Sequence, residues 1–191
     1  MTDNGPMADT RHRWARGQTA LVVEIPEAQD AVGMWRGRFD TSAAHGVGPH
    51  VTVLVPFLAL PAAAAVDRAA LAALVATEPA FTVTFGSCAT FPVAEPAPDV
   101  LFLVPTPDQP FRRLTAAVAA RWPQCPPYGG AFLDPTPHLT VTETAPATEL
   151  DAARRAIEPL LPIRAPVRGV AMIAFDGATW RSDTWFPLGV P

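Results

Sequence analysis

Gly48-Pro49-His50-Val51-Thr52-Val53 in the first half of the chain and Thr136-Pro137-His138-Leu139-Thr140-Val141 in the second share one frame: proline, histidine, an aliphatic residue, threonine, valine. The alternation predicts a β-strand at each. With a side-chain period of two, His50 and Thr52 then share one face, about 7 Å apart, and Val51 and Val53 turn to the other. His138 and Thr140 relate to Leu139 and Val141 in the same way. One His-x-Thr strand is commonplace, because threonine is favoured in strands on propensity alone. Two copies, using two of only four histidines, point to a paired site.

Working outward, the pattern predicts a strand at Thr19–Ile25, a helix at Gln29–Phe39, the motif strand His50–Phe57, a helix at Ala62–Ala76, and strands at Phe81–Gly86 and Ala89–Val93. After a Pro-rich turn at Ala94–Pro98 it begins again. Strand Val100–Val104, helix Gln109–Trp122, motif strand His138–Thr142 and helix Thr148–Leu161 lead to two closing strands, Pro166–Phe175 and Thr179–Pro187. Corresponding points are offset by roughly 80 to 90 positions, an internal duplication. Two repeats are too few for a solenoid. They fit an α+β fold of two pseudo-symmetric lobes, formed by repeats over about 19–93 and 100–187, enclosing a central cleft. Each lobe is expected to be a mainly antiparallel sheet with helices on its outer face. Residues 1–17 read as a flexible tail, and 18–191 as a single bilobal domain.

Composition narrows the chemistry. About half of the 191 residues are apolar, enough for a real core. All 14 cationic side chains are arginine, which excludes a lysyl-adenylate ligase, a P-loop lysine and Schiff-base catalysis. A formal charge of -4 argues against holding long duplex nucleic acid by counterion release and leaves a nucleotide or an RNA end as the expected partner. Cys88 and Cys125 form no C-x-x-C pair, and no His-x-x-x-His or mixed ligand cluster appears, so neither metal nor cofactor is expected. Without a long apolar run or a signal core, the expected setting is the cytoplasm, away from membranes. A monomer is expected, since one chain supplies both motifs.

Two imidazoles facing each other across a groove suit general acid–base cleavage of a phosphodiester. A neutral histidine takes a proton from the attacking water or hydroxyl, and a protonated one gives a proton to the departing ribose oxygen. With an ordinary histidine pKa of about 6.5, both forms are accessible near neutrality. His50 and His138 are the catalytic candidates, and Thr52 and Thr140 would bind phosphate oxygens through their hydroxyls. Which histidine is acid and which is base stays open at this level. Tyr128, the only tyrosine, and Phe57 are candidate substrate contacts. Arg112 and Arg113 could reach an anion but read better as a solvated helix face, and no role falls to His12 or His45. Trp180 and Trp185 read as part of a strand that closes a lobe. A non-catalytic nucleotide- or RNA-end-binding module is the alternative of another class. An acyl-transfer enzyme is poorly supported, because no Gly-x-Ser-x-Gly elbow exists.

The doubled His-x-Thr frame, its spacing and the two-lobed pattern resemble the 2H phosphoesterase superfamily, in particular its bacterial branch labelled 2′-5′ RNA ligase or RNA 2′,3′-cyclic phosphodiesterase. The resemblance covers about Thr19 to Gly189. It implies that His50 and His138 form the catalytic pair and that Thr52 and Thr140 are the phosphate-binding hydroxyls. It also implies metal-independent opening of 2′,3′-cyclic phosphates or related cyclic nucleotides, or reversible joining and cleavage of 2′-5′ linkages without ATP.

Overall fold

The computed structural model describes residues 14–60, 65–132 and 134–190. In chain order the strands and α-helices among them are β1 (Thr19–Glu24), α1 (Gln29–Phe39), α2 (Thr41–Ala44), β2 (His50–Leu54), α3 (Ala65–Val75), β3 (Phe81–Phe91), β4 (Val100–Thr106), α4 (Gln109–Arg121), β5 (Leu139–Thr142), α5 (Ala147–Ile157), β6 (Ile163–Val167), β7 (Gly169–Phe175) and β8 (Trp180–Pro187). None of these helices is long and apolar enough to cross a membrane. The first part of the expected helix at Ala62–Ala76 lies outside the described residues.

The strands form two antiparallel four-stranded sheets, ordered β2-β1-β7-β8 and β5-β4-β3-β6. The α+β, two-lobed expectation holds, but the lobes are not contiguous repeats. β3, from the first half of the chain, completes the sheet of the second motif, and β7 and β8 return to complete the sheet of the first. Two local details allow this exchange. The expected strand Pro166–Phe175 is broken at Arg168 into β6 and β7, which belong to different sheets. The two short strands expected between Phe81 and Val93 are one strand, β3, whose register slips between Phe85 and Cys88 where Gly86 and Ser87 form a bulge.

The alternation read from the motifs is realised as burial. Val51, Val53, Leu139 and Val141 are fully or nearly fully buried in one apolar cluster with Leu21 and Val23 of β1, Leu101 and Leu103 of β4, and Val83 and Phe85 of β3. Helix α4 adds Phe111, Leu114 and Val118, an i, i+3, i+7 stripe, and α1 adds Val32 and Trp35. Packing is crosswise: α1 lies on β5, α4 lies on β2, and the two motif strands touch each other. A single core therefore runs under both motifs. On the opposite face of the first sheet, Ala20, Val22, Ala171, Ile173, Phe175 and Trp180 form a second, smaller cluster.

Part of the expected tail is structured. Trp14 packs edge-on to Trp180 and Phe175, with ring centroids 5.3 and 5.6 Å apart, and Gly17 N–H donates to the Phe175 carbonyl at 2.8 Å. Residues 1–13 lie outside the described part of the chain.

Candidate active site

The pleat of β2 and β5 turns His50, Thr52, His138 and Thr140 into one cleft of about 390 Å³. Its remaining walls include Trp14, Ala20, Val22, Ile173 and Trp180 from the first sheet's smaller cluster, together with Ser42, Tyr128 and Glu143. Trp180, expected only to close a lobe, thus forms part of the cleft wall, whereas Trp185 is 54% exposed and covers Gly169.

Both histidines are held through Nδ1 by a carbonyl of their own motif. His50 Nδ1 lies 2.8 Å from the carbonyl oxygen of Gly48, and His138 Nδ1 lies 2.7 Å from that of Thr136, in each case two residues back. A carbonyl oxygen only accepts, so each Nδ1 carries the proton, and Nε2 is the nitrogen left to the cleft. The prolines at 49 and 137, each directly before its histidine, are both buried. His138 is further fixed by the stacked pair Phe91 and Phe102, whose rings it meets edge-on at 5.0 and 5.5 Å.

Burial depresses both imidazoles. His50 is pushed down to about 4, first by desolvation and then by the Arg36 guanidinium, against the opposing pull of the Gly48 carbonyl and the Asp40 carboxylate, with His138 adding a small push downward. His138 is lowered by desolvation, opposed by the Thr136 carbonyl and Asp40. An anionic phosphate in the cleft would favour the protonated form of either ring.

Arg36 is the residue the sequence reading missed. It is 1% exposed, and its guanidinium sits beneath the two motifs. Nη1 donates to the Thr140 carbonyl at 2.7 Å and lies 2.6 Å from Asp40 Oδ2, while Nη2 donates to the carbonyls of Val47 and Gly48, both at 3.1 Å, and to Ser42 Oγ at 3.3 Å. Asp40 Oδ1 in turn accepts from the backbone N–H and the hydroxyl of Ser42, capping α2. The signal was present in the sequence: Val32, Trp35 and Phe39 form an apolar stripe, and Arg36 falls on it, four residues before Asp40.

Tyr128 holds a backbone φ of 52°, in the left-handed region, and its N–H donates to the Val55 carbonyl at 2.6 Å. Burial pushes the pKa of its phenol up, with Thr52 pulling the other way, and Tyr128 and Thr52 line the same cleft. Tyr128 therefore stands beside the first motif's threonine, as one of the two expected contacts. The other, Phe57, does not face the cleft. It is 5% exposed, and its ring packs edge-on to Trp122 at 5.2 Å, so its aromatic surface is taken up by the core. Arg112 is paired with Asp108 and Asp134, Arg113 with Glu78, and neither lines the cleft. His45 bonds the Thr41 carbonyl and packs against Trp14, and His12 lies outside the described residues.

Past His138 the cleft opens into an apolar slot of about 590 Å³. Tyr128, His138, Thr140 and Glu143 border both spaces, and Phe91, Val93, Phe132 and Pro135 wall the slot. Phe132 is 58% exposed and packs edge-on to Tyr128 at 5.5 Å. Among the described residues, no three His, Cys, Asp or Glu side chains are gathered closely enough to hold a metal ion.

Two interleaved α+β lobes thus carry paired His-x-Thr strands that meet at their junction. The family model described as the 2′-5′ RNA ligase superfamily matches residues 25–179, more than half of the chain, and the chain belongs to that superfamily. Among solved structures, Escherichia coli LigT complexed with NADP+ superposes with a TM-score of 0.55 at 17% identity, covering 92% of this chain and 99% of that one. TT0787 of Thermus thermophilus gives a TM-score of 0.56 at 22% identity over 91% and 98% of the two chains. A structure described as a phosphoesterase gives a TM-score of 0.56 at 17% identity over 92% and 99%. At these identities the likeness carries the fold. A sequence comparison with curated proteins finds no match.

Proposed function

We propose that the chain is a phosphodiesterase that opens a 2′,3′-cyclic phosphate, on a nucleotide or at an RNA end, or acts on a 2′-5′ linkage, by two-histidine general acid–base catalysis. The observation that carries this reading is the matched tautomer of the two rings: each Nδ1 proton is committed to a backbone carbonyl, so that two Nε2 atoms serve one cleft. One Nε2 removes the proton of the attacking water while the other delivers a proton to the departing ribose oxygen. Thr52 and Thr140 donate to the non-bridging oxygens as negative charge builds on them. The slot beyond His138 takes the nucleobase, with Phe132 and Tyr128 as its aromatic walls. Structures of LigT with NADP+, 3′-AMP and ATP show nucleotides bound to that protein, which agrees with a nucleotide ligand for this one. One chain supplies both motifs, and a monomer suffices.

The test is incubation of the purified protein, in excess EDTA, with 2′,3′-cyclic nucleotides, a short RNA ending in a 2′,3′-cyclic phosphate, and a 2′-5′-linked dinucleotide, with products followed by chromatography. Turnover lost in His50→Ala and in His138→Ala separately, and reduced about 10²-fold in kcat by Thr52→Val or Thr140→Val, is expected. Turnover that survives either histidine variant unchanged would sink the mechanism. Nucleotide binding without product would shift the reading to a binding module.

A further inference from the structure

We infer that Arg36 is a positioning residue that breaks the pseudo-twofold equivalence of the two motifs, committing His50 to accept a proton and leaving His138 to donate one in the phosphodiesterase reading above. The two halves use the same crosswise tether, a helix side chain donating to a carbonyl of the other half's motif strand. From α4 the tether is Thr115 Oγ1 to the Val53 carbonyl at 2.8 Å, and from α1 it is Arg36 Nη1 to the Thr140 carbonyl at 2.7 Å. Only the second carries a charge. Its other amino group, Nη2, turns back to the first motif, so the Gly48 carbonyl accepts from Arg36 and from His50 Nδ1 together. On the opposite side, the Thr136 carbonyl accepts from His138 Nδ1, and Arg36 makes no bond to that carbonyl.

A carbonyl already holding a cation is a poor partner for a second one, so an imidazolium is disfavoured at 50 relative to 138. Among the described residues, the charged and titratable groups around His50 are Arg36 and Asp40 from α1 and its C-terminal cap, His138 and Glu143 from the two ends of β5, and Tyr128 from the turn before it. Of these, Arg36 opposes a proton on His50 most strongly; it is not among the groups that act on His138, whereas Asp40 favours the proton on both rings. In the step that follows, His50 Nε2 takes a proton from water as the water oxygen bonds to phosphorus. The bond from phosphorus to the ribose oxygen breaks, its electron pair stays on that oxygen, and the oxygen takes the proton from His138 Nε2. Exchange with solvent then returns His50 to the neutral state and His138 to the protonated one.

The experiment is a histidine-resolved NMR titration of the full-length protein, the Arg36→Met variant and the Arg36→Met/Asp40→Leu double variant, the last included because the single change leaves a buried carboxylate without its partner. In the wild type, His50 should titrate below His138. Removing Arg36 should raise the proton affinity of His50 about tenfold with little change at His138. The double variant should move the two in opposite directions, His50 up because Arg36 outweighs Asp40 there, and His138 down because it loses only Asp40. Mere loosening of the fold would relieve desolvation at both rings and raise both, so a joint rise, or an unmoved His50, overturns the role of Arg36. The roles of the histidines are read separately with thymidine 5′-(4-nitrophenyl phosphate), whose phenolate needs no proton in order to leave. His138→Ala should keep most of its turnover and His50→Ala should lose it, and the reverse pattern overturns the assignment. Titrations as expected but no turnover of any phosphodiester would sink the phosphodiesterase reading, and the acid and base roles with it, while leaving Arg36 as the group that separates the two rings.

Discussion

At the scale of single residues the site is governed by what each buried group can exchange with its neighbours. His50 and His138 each donate a hydrogen bond from Nδ1 to a backbone carbonyl, and both become harder to protonate because water is withdrawn from them. This has a consequence for stability. The unfolded chain takes up the His50 proton near the ordinary pKa of about 6.5, whereas the folded protein does so only near about 4. Between those values the unfolded state binds more protons, so stability is fully present above the upper one and drains away as pH falls through the window. His138 contributes with the same sign. Asp176, held well below the usual carboxylate range by the N–H groups of Thr179 and Ala178, acts in a lower window, lost only as pH falls further. The wild-type melting temperature should therefore fall between about pH 6.5 and about pH 4, and His50→Gln should flatten that slope. An equal slope in the variant would mean that other groups carry it.

At the scale of elements, the two phenylalanines considered as base contacts separate cleanly. Phe57 follows the first motif strand in sequence, which made it a candidate, but the chain turns it back under α4. There it meets Trp122, whose Nε1 donates to Asp67 of α3 at 3.0 Å. Phe132 carried no motif and sits in the turn after Tyr128, yet it is the one left exposed beside the cleft. Proximity in sequence to a motif says little about proximity in space once the strand has ended. Phe57→Leu should lower stability by about 1 kcal/mol with KM for a cyclic nucleotide unchanged, because a core ring is replaced by a smaller apolar group. Phe132→Ala should raise KM severalfold with stability unchanged. Steady-state kinetics and thermal melts on the two variants decide the matter, and a KM effect in Phe57→Leu rather than Phe132→Ala would move the base to another wall. Arg36 is hard to read from the sequence for a related reason: a mid-helix arginine ordinarily faces solvent, and only its place on the Val32, Trp35 and Phe39 stripe marks it as turned inward.

At the scale of the molecule, the individual elements were legible in the alternation of each half, and the motif strands and first helix begin where the pattern puts them to within a residue. Which sheet each closing strand would join was not readable. Only β7 is apolar along nearly its whole length, β3 and β8 mix buried and exposed positions, and partner choice is decided by long-range register that local periodicity does not encode. The difference is physical, since contiguous lobes could fold apart and interleaved ones could not. A chain cut in the Ala94–Pro98 turn leaves β1 and β2 without β7, and β4 and β5 without β3, exposing paired edges and splitting the common apolar cluster. Residues 14–94 and 99–190 expressed alone should each lack a cooperative melting transition, and mixing them should restore both the transition and the cleft. Circular dichroism melts of the separate and mixed fragments measure this directly. A fragment that melts cooperatively by itself would mean that one lobe closes its core without the other, and that the strand exchange is not what holds His50 and His138 together.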